Sequence, residues 1–112
     1  MFRTDGLDIW ISRGDSADLP IDIEGATDGD IVAMTVKKCL TDTEPIFEKF
    51  AELYEGSVIF PILSEDTKDL DFGTYYWDLR VFTQDGDSIT PFRPRLFKVL
   101  EVVGNNQEGD TT

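Results

Sequence analysis

Histidine is absent from the 112 residues, and cysteine occurs only once, as Cys39. Without histidine the chain cannot build a Ser-His-Asp triad or a Cys-His pair, so no histidine activates the Cys39 thiol. A single cysteine also permits no disulfide bond within the chain. These scarcities argue against an enzyme that works through an activated nucleophile, and we predict a non-catalytic protein without a cofactor.

Long apolar runs are missing as well. The longest run, Ile31–Met34, has four residues, whereas a membrane-spanning helix needs about 20. Residues 1–6 contain no apolar stretch of the kind found in a signal peptide. We therefore expect no membrane segment, and folding in a reducing cytoplasm.

Positive charge is scarce: 10 Lys and Arg stand against 23 Asp and Glu, which leaves a formal net charge of −13. Nucleic-acid binding depends on cationic side chains that neutralise phosphates, so we predict no nucleic-acid partner. Anionic membrane surfaces would repel the chain for the same reason. The acidity fits simple solubility, and it leaves open a basic protein partner or a divalent cation.

The length and composition fit one domain. Apolar residues make up 40% of the chain and aromatic residues 12%, which is enough material for one hydrophobic core. Residues 104–112 contain no apolar side chain. We predict an immunoglobulin-like domain over residues 1–104 and a disordered acidic tail over residues 105–112.

Apolar and polar residues alternate in short segments separated by turn-forming residues, which predicts β-strands. Pro45–Glu55 fits a helix face as well as a strand, and its all-β neighbours favour a strand over Ile46–Phe50. A helical turn is predicted over Ser64–Leu70. Pro20 lacks an N–H, which places its strand at a sheet edge or gives it a bulge near its start. About seven strands with regular turn signals predict an all-β, immunoglobulin-like antiparallel β-sandwich. The predicted strands are Leu7–Ser12, Leu19–Glu24, Ile31–Lys38, Ile46–Phe50, Val58–Ile62, Thr74–Thr83 and Leu96–Val103.

The longest alternating segment, Gly73–Thr83, is predicted to be the central strand. Its large side chains on one face are predicted core residues: Tyr75, Trp77, Leu79 and Val81. The sequence Asp-Phe-Gly-Thr-Tyr over residues 71–75 has the form of a tyrosine corner. In such a corner the tyrosine hydroxyl bonds back to upstream backbone.

Three aromatic side chains take outward positions in the predicted strands: Trp10, Tyr76 and Phe82. Exposed aromatic residues are enriched in protein interfaces, which makes these three candidate interface residues. Alternatively, the segment over residues 45–55 or the loop over residues 89–94 covers them. Both interpretations stay open at the level of the sequence.

Acidic residues cluster in two Asp-Gly-Asp sequences, at residues 28–30 and 85–87, and around residues 65–71. Calcium prefers carboxylate oxygen ligands of this kind. The spacing matches no EF-hand, however, and Asp-Gly is already typical of tight turns, so we assign no metal ligands. Arg13-Gly14-Asp15 is likewise interpreted as a turn and not as a cell-adhesion tripeptide.

Several short motifs resemble one known family: a strand with a Gly-Asp turn, a Val-Lys-Lys strand end, an Asp-Thr turn before Gly-x-Tyr-x-Trp-Asp, and a closing strand. In this chain the motifs are Ile11–Ser16, Leu19–Ile21, Val36–Lys38, Asp66-Thr67, Leu70, Gly73, Tyr75, Trp77-Asp78-Leu79, Val81, Phe97 and Val99. Over roughly Leu7–Val103, the chain resembles the immunoglobulin-like N-terminal domain of phage baseplate upper proteins and of related small phage tail or prophage proteins.

The resemblance implies a structural role in tail or baseplate assembly, with other tail proteins or further copies of the chain as partners. It implies a host bacterial cytoplasm and then the virion as the location, and it supplies no catalytic residue. The sequence carries no coiled coil or receptor-binding segment, which favours assembly over receptor binding. The alternative is a β-sandwich that binds a carbohydrate on exposed aromatic side chains, with or without calcium.

Overall fold

A computed structural model describes residues 1–101, so the predicted tail over residues 105–112 lies outside the described residues. Within residues 1–101 the chain forms nine strands and one short helix, which confirms the all-β prediction. The helix α1 covers Ser64–Thr67. The strands are β1 (Phe2–Asp5), β2 (Asp8–Ser12), β3 (Ala17–Asp22), β4 (Ile31–Lys37), β5 (Phe47–Glu52), β6 (Ser57–Ile62), β7 (Gly73–Phe82), β8 (Ser88–Ile89) and β9 (Arg95–Leu100).

Two of these strands, β1 and β8, are additional to the predicted seven. The four residues of β1 include a single apolar side chain, and β8 has only two residues, so neither shows a recognisable alternation. The ambiguous segment over residues 45–55 contains β5 and no helix, as its all-β neighbours indicated.

The strands form a β-sandwich of unequal sheets. Seven strands make the large sheet, in the order β1-β2-β9-β7-β4-β5 with β8 beside β7, and β3 and β6 make the small sheet. All neighbouring strands are antiparallel except β2 and β9, which run parallel. An antiparallel sandwich was predicted, and this one pair is parallel; β2 and β9 are far apart in the chain, so no hairpin turn forces them to be antiparallel.

The core lies between the two sheets and is centred on β7. Tyr75, Trp77, Leu79 and Val81 project inwards, and none of them is more than 3% exposed. Their neighbours on β4 and β9 are also buried, and the small sheet covers them with Phe60 and other apolar side chains. The remaining large, fully buried side chains include Ile9, Ile11, Met34, Leu53, Ile62 and Phe97.

The polar atoms of the buried aromatic residues on β7 all have partners. The Tyr75 hydroxyl donates to the Asp71 carbonyl oxygen at 2.9 Å, which is the bond that defines a tyrosine corner. The Trp77 indole N–H donates to the Leu7 carbonyl oxygen at 2.9 Å. Because burying an unpaired polar group costs free energy, these two bonds allow such large amphipathic rings to fill the core.

The small sheet has proline at both of its free edges. Pro20 of β3 lies opposite Ile59, and Pro61 of β6 lies opposite Asp18. These two pairs are two residues apart and so are of the same kind. The Ile23 N–H bonds the Gly56 carbonyl oxygen, which makes the odd-numbered positions of β3 the hydrogen-bonded ones, and both prolines therefore occupy pairs whose backbone groups point away from the partner strand. Proline has no N–H to offer a further strand, and the small sheet is therefore protected against growth by edge pairing.

The chain passes between the two sheets four times, after β2, β3, β5 and β6. Glu55 and Gly56 form a two-residue turn between β5 and β6, both with positive φ (52° and 78°), as a type I′ hairpin turn requires. Farther along, the Lys49 ammonium on β5 lies 2.7 Å from the Asp66 carboxylate on α1, where both side chains are mostly buried. The described residues contain no helix long and apolar enough to cross a membrane.

Candidate protein interface on the outer face of the large sheet

The outer face of the large sheet carries all three aromatic residues that the sequence placed outwards. Trp10 lies on β2, and Tyr76 and Phe82 lie on β7, on the side opposite the core. Tyr76 and Phe82 are six residues apart on one strand, which is about 20 Å. The three residues therefore share a face, but they do not form one continuous patch.

Trp10 is half-buried and is covered by cations from its own chain. It lies between Arg3 of β1 and Lys98 of β9 in the strand register. The Arg3 guanidinium carbon lies 4.4 Å from the indole centroid, and the Lys98 ammonium lies 5.9 Å from it. Each such contact stabilises by about 0.5–1 kcal/mol at exposed sites. The outward-facing ring of Trp10 thus already has intramolecular partners.

Tyr76 is half-buried in the middle of the face. It lies between Lys37 of β4 and Leu96 of β9. Its ring lines a small groove of about 120 Å³ together with Leu40 and Pro94. The loop that the sequence offered as a cover for the outward aromatics therefore contributes Pro94 beside Tyr76.

Phe82 belongs to an exposed apolar patch built by three neighbouring strands. Phe82 is 41% exposed and lies opposite Ile31 of β4, which is 39% exposed. Phe50 of β5 is 62% exposed and lies opposite Ala33, two residues from Ile31. We call Ile31, Phe50 and Phe82 the outer patch. No part of residues 1–101 covers these three side chains as Arg3 and Lys98 cover Trp10.

Ile31 and Phe50 were not among the predicted interface residues. A sequence signal existed for both residues, since Ile31 alternates with buried Val32, and Phe50 alternates with Lys49 and Ala51 on β5. What the sequence did not reveal was that β5, β4 and β7 are neighbours in that order. Only that order brings the two residues beside Phe82.

A groove of about 350 Å³ runs along β4 next to the outer patch. Its floor is low because β4 carries small side chains there, and the flanking strands carry larger ones. The Thr35 hydroxyl donates to the Glu48 carboxylate at 2.8 Å across this floor. Residues that line the groove include Ala33, Thr35, Glu48, Asp78, Arg80 and Phe82.

The two Asp-Gly-Asp turns, at residues 28–30 and 85–87, meet at one end of the sandwich around an open cleft of about 500 Å³. Asp30 is buried there, and its carboxylate accepts the Thr27 N–H at 3.0 Å and the Gln84 N–H at 3.3 Å. The Asp28 carboxylate accepts the Glu55 N–H at 2.9 Å, which holds the β5–β6 turn. These carboxylates organise turns, and within residues 1–101 no group of three or more acidic or cysteine side chains is placed to hold a metal ion.

The remaining polar candidates also take structural positions. The Gly14 N–H donates to the hydroxyl of buried Thr67 at 2.9 Å, and the Arg13 guanidinium stacks on Phe72 at 4.1 Å. Arg13-Gly14-Asp15 is thus a turn held against α1. Cys39 is a free, exposed thiol at the end of β4.

Burial raises the pKa of the Tyr75 hydroxyl above its ordinary value of 10.0, and the nearby Asp71 carboxylate adds to the rise. The hydrogen bond to the Asp71 backbone acts in the opposite direction and is the smallest of the three effects. Tyr75 therefore stays protonated at neutral pH, as a hydroxyl that donates a hydrogen bond must be.

Comparison of the chain with models of protein families, with curated proteins and with solved structures found no match. The function of the protein is therefore inferred from the residues of the chain and from the geometry of the outer face. The outer patch is the feature of that face that residues 1–101 leave uncovered.

Proposed function

We propose that this protein is a non-catalytic assembly module of a phage or prophage tail or baseplate, which acts through protein–protein contacts on the outer face of its large sheet. The observation that carries the proposal is the outer patch, where Ile31, Phe50 and Phe82 form a contiguous exposed apolar surface. The resemblance of the short sequence motifs to baseplate upper proteins supports the setting.

The outer patch differs from scattered exposed apolar residues, which are normal on any protein surface. Its three side chains come from three adjacent strands and surround Ala33, which is only 4% exposed. Contiguous apolar surface of this kind, with two aromatic rings and with charged residues at its rim, is typical of interfaces. Glu52, Arg80 and Asp78 supply that rim.

The proposal is tested by co-expression of the protein with the products of its flanking genes and measurement of complex formation. We expect at least one complex, and we expect Phe82→Ala to weaken it by about 2 kcal/mol or more, as truncation of a buried anchor does. Tyr54→Ala is the matched control, because Tyr54 is an aromatic residue 70% exposed in the β5–β6 turn, outside the face.

A protein that binds no flanking gene product and does not self-associate, but binds an oligosaccharide, would contradict the assembly role. That outcome would favour the carbohydrate-binding alternative. Measurement of oligosaccharide binding by Tyr76→Ala then decides whether the outward aromatic residues of β7 bind the sugar.

A further inference from the structure

The charge of the outer face differs from that of the whole chain. Its strand positions carry four cations and five carboxylates, a net charge of −1, while the remainder of the chain carries −12 of the total −13. The cations are Arg3, Lys37, Arg80 and Lys98. A chain with this total charge repels its own copies, and the outer face is the surface where that repulsion is nearly cancelled.

The outer face is also self-complementary in shape. The exposed Phe82 ring lines the groove along β4, whose floor is Ala33 and Thr35, and the exposed Phe50 ring lies opposite Ala33 on β5. A two-fold interface uses the same surface on both partners, so it needs a protrusion and a matching depression on one face. The aromatic rings are the protrusions and the groove is the depression.

The groove and its surroundings carry charges of both signs, so the face is also self-complementary in charge. Glu48 and Asp78 line it together with Arg80, and Lys37 lies on the same strand as its floor. In a two-fold arrangement residue i of one copy meets residue j of the other, so Glu48 or Asp78 can lie opposite Arg80 or Lys37 of the second copy. A uniformly acidic or uniformly basic partner would be attracted by only some of these charges and repelled by the others.

The size of the face is sufficient for a specific dimer. Six strands at ~4.8 Å spacing and about six residues at ~3.3 Å rise span roughly 30 Å by 20 Å. Two such faces together exceed the ~1,000 Å² that a specific interface needs. Pro20 and Pro61 lie at the two edges of the small sheet, so a second copy does not extend that sheet by edge pairing.

We infer that the occupant of the outer face is a second copy of this chain, packed sheet against sheet around a two-fold axis near Ala33. The inference rests on the proposed assembly function and names the partner of the same face. Stacked sheets pack about 10 Å apart with interdigitating side chains, so Phe50 and Phe82 of each copy enter the groove of the other.

The test is sedimentation equilibrium of the whole protein over a range of concentrations in ~0.15 M NaCl. Cys39→Ser, or a reducing agent, prevents an intermolecular disulfide from mimicking the dimer. We expect a mass of twice 12.6 kDa at high concentration. Phe82→Ala and Phe50→Ala should each raise the dimer Kd by about 30-fold or more, while Tyr54→Ala leaves it unchanged. Circular dichroism verifies that each variant is folded.

The outcomes separate this inference from the proposed function. A strict monomer at high concentration that still binds a flanking gene product through Phe82 overturns the second-copy inference and keeps the assembly role. A strict monomer that binds no protein overturns both. A dimer that weakens with Tyr54→Ala and not with Phe82→Ala shows that the chain associates through another surface, and it overturns the inference as well.

Discussion

The two faces of β7 show how one strand serves two purposes. On the inner face, Tyr75 and Trp77 are at most 3% exposed and their polar atoms are hydrogen-bonded. On the outer face, Phe82 is 41% exposed and packs into a patch that residues 1–101 do not cover. The inner face therefore accounts for the stability of the sandwich, and the outer face has apolar surface that is not buried within residues 1–101.

The variant with the largest expected loss of stability is Trp77→Ala, on the inner face of β7. Truncation of a fully buried aromatic side chain leaves a cavity and costs about 3–5 kcal/mol, a large part of the stability of a small domain. Chemical denaturation should show this loss, or the variant should fail to fold. Tyr76→Ala is the control, because the adjacent residue points outwards and should cost much less. Equal losses for both variants would contradict the division of the strand into two faces.

The next test is Tyr75→Phe, which removes only the hydroxyl group of the tyrosine corner. The Asp71 carbonyl loses its partner, and the free energy of unfolding should fall by about 1–3 kcal/mol. Matched urea denaturation curves measure this. Coincident curves for the two proteins would show that the corner contributes nothing to stability.

The same pair of proteins gives a pH signature of the corner. The folded state raises the pKa of Tyr75 above 10.0, so folding favours the protonated hydroxyl. The corresponding stabilisation is fully present below pH 10, the pKa in the unfolded chain, and is lost as the pH rises towards the higher folded pKa. The wild type should therefore lose its advantage over Tyr75→Phe above about pH 10, since all other ionisations are common to both.

A smaller effect distinguishes the two aromatic regions of the outer face. Trp10→Ala removes a ring that Arg3 and Lys98 already cover, so it should lower stability by about 1 kcal/mol. It should weaken association less than Phe82→Ala does. If Trp10→Ala abolishes association and Phe82→Ala does not, the interface is centred on β2 and not on the outer patch.

The smallest expected effect is that of salt. The net charge of −13 makes the folded chain repel itself, and ~0.15 M NaCl screens that repulsion. Thermal stability should therefore rise between low salt and ~0.15 M NaCl. Calcium should act no more strongly than NaCl of equal ionic strength, because the Asp28 and Asp30 carboxylates already bind backbone N–H groups. A specific increase in melting temperature with calcium, absent with magnesium, would contradict this assignment.

The sequence alone was sufficient for features that depend on local periodicity. Alternation over residues 74–83 identified the inner residues of β7, and the Asp-x-Gly-x-Tyr order identified the tyrosine corner. Both follow from the period of two along a strand and from turn chemistry. Phe82 was predicted to point outwards for the same reason, and β1 was missed because a strand with one apolar residue has no alternation to detect.

The tertiary structure decided which residues become neighbours. The strand order β5-β4-β7 brings Phe50 and Ile31 beside Phe82, and the parallel pairing of β2 with β9 brings Lys98 onto Trp10. The division of nine strands into sheets of seven and two was decided at the same level. Alternation fixes the face to which a side chain points, but it carries no information about pairing partners. Pairing depends on contacts between segments far apart in the chain, so the outer patch exists only once the sheet is assembled.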